Sequence, residues 1–152
     1  MSGVGQLFYY EKNEAFEELT SGEGAVFGSK LRLLVFAASV GYARNRYVPD
    51  HETNGETRWG FISGDKRLSV IVSSLAYTRR DDPEVILDTD AKIEVLTAYG
   101  AGGARIIKQE VIDQPGDNLD NLIEFIRQHR DREEAEQKAG ILEEIEQDFG
   151  RF

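Results

Sequence analysis

The segment from Ser29 to Ala43 constrains the fold more than any other part of this sequence. Its apolar residues fall on two faces of a helix, Leu31, Leu34, Val35, Ala38 and Tyr42 on one and Leu33, Phe36, Ala37 and Val40 on the other. A helix that is apolar on nearly all sides has to be buried on most of them. We therefore predict a central buried helix over residues 29–43, and Ser29 is its predicted N-cap because its hydroxyl can accept from a first-turn amide.

Weaker stripes at helical spacing predict further helices over residues 14–19, 66–77, 91–111 and 118–129, with a short one at 83–87. Asp65, Asp90 and Asp117 are their predicted caps. The 91–111 stripe crosses three glycines, and each costs about 1 kcal/mol against alanine inside a helix. This segment is either one helix bent at the glycines or two stacked helices. Close backbone packing or a kink explains Gly100, Gly102 and Gly103 better than a phosphate loop, which needs a different sequence around its glycines.

The remaining segments are not helical in pattern. Residues 47–64 are polar and contain Pro49, Asn54-Gly55 and Gly60, which favour turns, so this stretch is either a surface loop or a short β-hairpin. Residues 6–10 form a short strand or a hydrophobic arm. Together the patterns predict a mainly α protein, a single compact helical domain of about five to six helices around the central helix.

The C-terminal segment differs from the rest in charge. The chain has a net charge of −10, and between residues 131 and 148 it carries eight acidic and two basic side chains with a thin apolar stripe. Such a helix is solvated or binds a partner. We predict a helical core domain with an N-terminal arm over residues 1–130 and an acidic helical extension over 131–152.

The composition limits the chemistry. The chain has no cysteine and two histidines, His51 and His129, so disulfides, thiol nucleophiles and the usual zinc sites are excluded. We predict no metal site, no cofactor and no enzymatic activity. No apolar run approaches the ~20 residues of a membrane span, and we predict a soluble, cytoplasmic protein.

Three pairs of cationic residues stand at predicted helix ends, in a middle third (residues 28–80) with nine basic and four acidic side chains. The pairs are Arg44 with Arg46, Lys66 with Arg67, and Arg79 with Arg80. With neighbouring aromatic residues they are candidate nucleic-acid-binding residues, because cations contact phosphate and rings stack on bases. An equally good explanation of these pairs is structural, because arginines at helix C-termini hydrogen-bond to the last carbonyl groups and offset the helix dipole.

Arg44 followed by His51 offers a weak catalytic candidate. The order resembles the arginine-then-histidine motif of small helical ribonucleases of the HEPN superfamily, in which a cation stabilises phosphate charge and imidazole transfers a proton. Pro49 lies between the two residues, and the sequence offers no second base.

The segment from Ser29 to Arg46 resembles a family that accompanies DNA phosphorothioation, the fourth of the proteins associated with the dnd modification genes. The matching features are Phe27, Ala37-Ala38-Ser39-Val40-Gly41-Tyr42, Arg44 to Pro49, Leu68 to Leu75, Asp81-Asp82 and Glu94 to Gly103. The resemblance covers roughly residues 25–125. It departs at Thr97-Ala98-Tyr99, where an acidic residue is expected beside the tyrosine.

The resemblance implies an accessory protein of a prokaryotic DNA phosphorothioation system, a modification–restriction system of antiviral defence. Its implied partners are larger proteins of a modification or restriction complex, bound through the N-terminal arm or the acidic helix, and DNA bound weakly through the cationic pairs. The alternatives are a small helical nuclease using Arg44 and His51, or an acidic inhibitor that mimics DNA. An oligomeric assembly is compatible with all three.

Overall fold

The computed structural model describes residues 5–22 and 25–149. Within them, six α-helices and one small antiparallel sheet confirm the mainly α class. The elements are β1 (Leu7–Tyr10), α1 (Glu14–Glu18), α2 (Lys30–Ala43), β2 (Gly55–Arg58), α3 (Gly60–Ser63), α4 (Lys66–Arg80), a 3₁₀ helix (Pro83–Leu87), α5 (Thr89–Ile107), a π-helical turn (Lys108–Ile112) and α6 (Asn118–Phe149).

The chain divides into two units, residues 1–115 and residues 116–152. The first contains every element from β1 to the π-helical turn, and the second consists of α6. The predicted boundary at residue 130 falls inside α6 and remains a prediction, and residues 150–152 of the predicted extension lie outside the described residues. No helix among the described residues has the length and apolar character needed to cross a membrane.

The core of the first unit forms where α2 packs on α5, with α4 against both. The central helix is confirmed, because eight residues of α2 are buried. Leu33 and Leu34 of α2 and Val95, Leu96 and Ile107 of α5 are almost completely inaccessible to solvent. The doubly apolar pattern of α2 therefore reflects burial on several sides.

The strand in the 47–64 segment does not form a local hairpin. β2 pairs antiparallel with β1, from Leu7 opposite Arg58 to Tyr10 opposite Gly55. Phe8 and Tyr10 are buried, whereas Leu7 and Tyr9 face solvent, which is the alternation of a half-buried strand. The N-terminal arm is thus a strand that contributes to the core. Gly55 is required here because a Cβ would stand 2.7 Å from the Tyr10 ring.

The glycine-rich stretch lies inside a single helix, α5, so of the two predicted arrangements the single helix is observed. A Cβ on Gly103 would overlap the carbonyl oxygen of Ala37 and stand 2.9 Å from the amide nitrogen of Gly41 in α2. A Cβ on Gly102 would stand 2.7 Å from the Cβ of Arg46. Backbone therefore packs directly on backbone where α2 crosses α5, as the sequence predicted.

The helix starts follow the predicted capping residues with one exception. Ser29 accepts from the Arg32 amide, Asp65 from the amides of Arg67 and Leu68, and Asp117 from the Asp120 amide. Asp90 was the wrong cap for α5. Asp88, two residues earlier in extended conformation, accepts from the Ala91 amide at 3.1 Å.

Candidate functional site

The C-terminal ends of α2 and α4 come together at an arginine–tyrosine cluster. The guanidinium carbon of Arg79 lies 3.8 Å from the centre of the Tyr47 ring, which packs edge-on against Tyr99 at 4.8 Å between centres. Tyr42 also packs edge-on against Tyr99, with 5.9 Å between ring centres. We name Tyr42, Tyr47, Arg79 and Tyr99 the arginine–tyrosine cluster. It joins side chains from α2, α4, α5 and the segment that follows α2.

The path of the chain after α2 explains how Tyr47 reaches this position. Asn45 adopts a left-handed conformation with φ of 55°, which turns the chain, and asparagine tolerates that region better than most residues. The Arg46 backbone then lies on Gly102, and the Val48 amide donates to the Ala98 carbonyl oxygen at 3.0 Å. The glycine in α5 thus allows this segment to pack closely.

Two of the other cations at this end of the unit, Arg44 and Arg80, are already paired with carboxylates. Arg44 donates to Glu110 at 2.7 Å, and Arg80 donates to Glu94 at 2.7 Å. Burial raises the pKa of the Tyr47 phenol, with the nearby Glu94 charge adding to the effect. The phenol therefore stays protonated at neutral pH. The ion pairs of Arg44 and Arg80 reduce the positive charge that this end of the unit could offer to phosphate.

Lys66 and Arg67 lie at the opposite end of α4, in its first turn. The three cationic pairs therefore do not form a single cluster. Helical periodicity in the sequence predicted α4, but the direction in which α4 runs relative to α2 depends on tertiary packing. The two helices start at the same end of the unit, where Arg32 and Arg67 flank a groove of about 350 Å³ over Phe36 and Leu68.

Arg44 and His51 make separate contacts. The Arg44 guanidinium is held by Glu110, whereas Nδ1 of His51 lies 2.7 Å from the Glu52 carbonyl oxygen. Beside His51, the buried Glu11 accepts two hydrogen bonds from Arg105 and one from the Glu52 amide. Within residues 5–22 and 25–149, no group of three His, Asp or Glu side chains is arranged to hold a metal ion.

The sequence interpretation missed the outer face of α4. On this face Val70 and Tyr77 are 64% and 42% exposed. The helix buries only Val72, Leu75 and Ala76. The signal was present in the sequence as eleven consecutive uncharged residues, 68–78, between two cationic pairs.

The fold and its surfaces define a small helical protein whose core is a glycine-mediated helix crossing. Two of the six cations in its three helix-end pairs, Arg44 and Arg80, are paired with carboxylates. The family model for DNA sulphur modification system-associated protein 4 matches residues 10–145, and the chain belongs to this family. The match confirms the resemblance and extends it at both ends, to residues 10–145. No curated protein matches the chain, and no solved structure does.

Proposed function

We propose that this chain is a non-enzymatic accessory component of a DNA sulphur modification system and acts by binding larger proteins of that system. The family's description supports the association with the system. The observation that carries the binding role is the C-terminal part of α6. A chain that accompanies DNA modification in a prokaryote would work in the cytoplasm, in an antiviral defence role.

The C-terminal part of α6 has the properties of an interaction segment. Every side chain from 131 to 148 is exposed, including Ile141, Leu142 and Ile145, which are 57%, 61% and 44% accessible. Ile141 and Ile145 are one turn apart and so lie on the same side of the helix. An apolar strip flanked by eight carboxylates fits a partner surface that is apolar with a basic border.

Deleting residues 131–152 is expected to leave the first unit folded and to abolish its contribution to DNA modification. The melting temperature should change by about 2 °C or less, because the buried core of that unit lies before residue 116. Binding to the partner should weaken by at least about tenfold, which corresponds to about 1.4 kcal/mol, and phosphorothioate content should fall with it. Circular dichroism measures the first effect, and mass spectrometry of DNA from cells carrying the complete system measures the second.

Two point-variant pairs control the truncation. Ile141→Gln with Leu142→Gln should reproduce the loss of modification. Arg132→Gln with Glu136→Gln, which keeps the net charge, should not, because at 3.6 residues per turn these side chains lie on the opposite side of α6 from the apolar strip. If the truncated chain no longer unfolded cooperatively, the tail would belong to the core and this assignment would be wrong.

Weak DNA binding is a second candidate role, supported by the arginine–tyrosine cluster. Arg79 and Arg46 remain free of carboxylate partners among the described residues, and Tyr42 is 46% exposed beside them. A cation next to an accessible ring can contact phosphate and stack on a base. The ion pairs of Arg44 and Arg80 and the net charge of −10 oppose strong binding.

Replacing Arg79 and Arg80 by alanine should flatten the salt dependence of DNA binding without lowering the melting temperature appreciably. Each lost phosphate contact removes a slope of about 0.9 in log affinity against log salt, whereas exposed ion pairs contribute little to stability. Salt titrations with and without sulfur in the DNA backbone measure the effect. Arg132→Ala with Lys138→Ala is the charge-matched control. No binding by the wild type at low salt would eliminate the DNA role and leave the protein-binding role.

A further inference from the structure

The outer face of α4 is an uncharged strip in a highly charged protein. We use this name for Val70, Ser73, Ser74 and Tyr77, which follow one another at helical spacing and so lie on one side of the helix. Val70 is 64% and Tyr77 is 42% exposed, and a groove of about 630 Å³ joins them to Ile86 of the adjoining 3₁₀ helix. A contiguous exposed apolar area of this kind marks an interaction site.

The first turn of α4 offers free positive charge. Lys66 and Arg67 are both exposed, and neither forms an ion pair with any residue in the ranges 5–22 and 25–149. Cations at this position oppose the positive end of the helix dipole, so they do not stabilise α4 itself.

The opposite end of α4 offers free negative charge. Its two cations are already engaged within the fold, because Arg79 stacks on a tyrosine ring and Arg80 is paired with a glutamate. Exposed carboxylates follow directly along the chain, those of Asp81, Asp82 and Glu84. Among the residues that the structure describes, Asp81 and Glu84 have no ion-pair partner. The strip therefore runs from a positive end to a negative end.

Such a strip is complementary to itself when two copies pack in opposite directions. A two-fold axis through the middle of the strip places Val70 of one copy beside Tyr77 of the other. Lys66 precedes Val70 by four residues, and Asp81 follows Tyr77 by four. The same axis therefore brings the positive end of each α4 onto the acidic end of the other, as a self-complementary two-fold interface requires.

The centre of the strip lets two helices approach closely. Ser73 and Ser74 are small, and the Ser74 hydroxyl donates to the Val70 carbonyl oxygen of its own helix at 2.7 Å, so it needs no outside partner. Small facing side chains shorten the distance between packed helix axes. We propose that the outer face of α4 binds the same face of a second copy, in an antiparallel dimer with two-fold symmetry.

Sedimentation of the full chain tests the charge pairing. At physiological salt, where a Debye length of about 8 Å screens the overall negative charge, the wild type should show a concentration-dependent dimer. Lys66→Glu with Arg67→Glu should weaken the dimer at least about tenfold, because the altered ends then face carboxylates. Asp81→Asn with Glu84→Lys should also weaken it, since the introduced lysine then faces cations. Asparagine is chosen because it tolerates the positive φ of 52° at position 81.

An equimolar mixture of these two charge variants distinguishes the proposed pairing from a general effect of charge. In a mixed pair the introduced glutamates face the introduced lysine, and the other end keeps its natural contact, so the mixture should form dimers that neither variant forms alone. Arg132→Glu with Lys138→Glu makes the same change of net charge on α6 and should dimerise like the wild type. The chain lacking residues 131–152 should do so too, which separates this result from the proposed function. Circular dichroism melts verify that each variant is folded.

Disulfide formation tests the register, because the chain has no cysteine of its own. Ser74→Cys chains should cross-link to one another, since position 74 lies next to the axis. Val70→Cys chains should not, because their cysteines would be seven residues apart along the helices, roughly 10 Å at 1.5 Å per residue, and a disulfide joins Cα atoms less than about 7 Å apart. Ser21→Cys, at an exposed position outside α4, measures cross-linking by random collision.

Four results would overturn the proposal. They are a wild type that stays monomeric at the highest attainable concentration, a mixture of charge variants that associates no better than each variant alone, Ser74→Cys chains that cross-link no faster than Ser21→Cys chains, and Val70→Cys chains that cross-link as fast as Ser74→Cys chains.

Discussion

Replacing Gly103 by alanine is expected to destabilise the first unit by about 3 kcal/mol or more, at the upper end of the usual cost of overpacking a core. The added Cβ would stand 2.5 Å from the Ala37 carbonyl carbon and 2.9 Å from the Gly41 amide nitrogen. Both atoms belong to the backbone of α2, which cannot move aside as a side chain can. Relief therefore requires α2 and α5 to separate, and these helices form the centre of the core.

Two other glycine-to-alanine changes serve as comparisons for the loss of stability expected at Gly103. At Gly100 the Cβ would meet the Cδ1 of Leu34 at 2.6 Å, a flexible side-chain end that can rotate, so the loss should be smaller than at Gly103. At Gly140, in α6, nothing lies within 4 Å, and alanine should raise helix stability by up to about 1 kcal/mol. Urea unfolding of all three variants measures the differences. Equal effects at positions 100 and 103 would contradict a backbone-to-backbone crossing.

The sequence predicted most of the helices because their signals are local. The two apolar faces of α2 and the caps Ser29, Asp65 and Asp117 each depend on neighbours within about one turn. The pairing of β1 with β2 was not predictable in the same way. It joins segments more than forty residues apart, and four-residue strands carry too little pattern to identify a partner.

The candidate site was predictable in composition but not in arrangement. Periodicity placed Arg44, Lys66 and Arg79 near helix ends, yet only the parallel packing of α2 and α4 decides which ends meet. The partners Glu94 and Glu110 lie 14 and 66 residues away in sequence from the arginines they neutralise. The exposure of Val70 and Tyr77 in α4 was not predictable either, because periodicity does not distinguish a buried apolar residue from an exposed one.

Replacing Glu11 by glutamine is expected to produce the second large effect, a loss of about 1.5–3 kcal/mol at neutral pH, the range for hydrogen bonds to charged groups. Both carboxylate oxygens of Glu11 accept from Arg105 at 2.8 Å, and one also accepts from the Glu52 amide at 2.9 Å. The Glu11 side chain is only 9% exposed. One carboxylate therefore links the end of β1, α5 and the segment before β2. The neutral amide of glutamine has only one accepting oxygen and cannot replace it.

This loss should depend on pH in a defined direction. The hydrogen bonds from Arg105 lower the pKa of Glu11 below its ordinary value of 4.5, against the opposing effect of burial. A carboxyl whose pKa is lower in the folded state stabilises the fold fully above the unfolded value and loses that contribution as pH falls through the folded one. The difference in unfolding free energy between wild type and Glu11→Gln should thus be constant near neutrality and shrink below pH 4.5.

Urea unfolding at a series of pH values from neutral to 3 measures this difference directly, and protonation of all other carboxyls cancels between the two proteins. Glu17→Gln is the control, because Glu17 and its partner Lys30 are 62% and 39% exposed, and an exposed pair contributes little to stability. Its unfolding curve should match that of the wild type near neutral pH. A Glu11→Gln deficit that persisted undiminished at pH 3 would show that its cause is altered packing, because a charge-dependent contribution falls once the unfolded chain takes up the proton below pH 4.5.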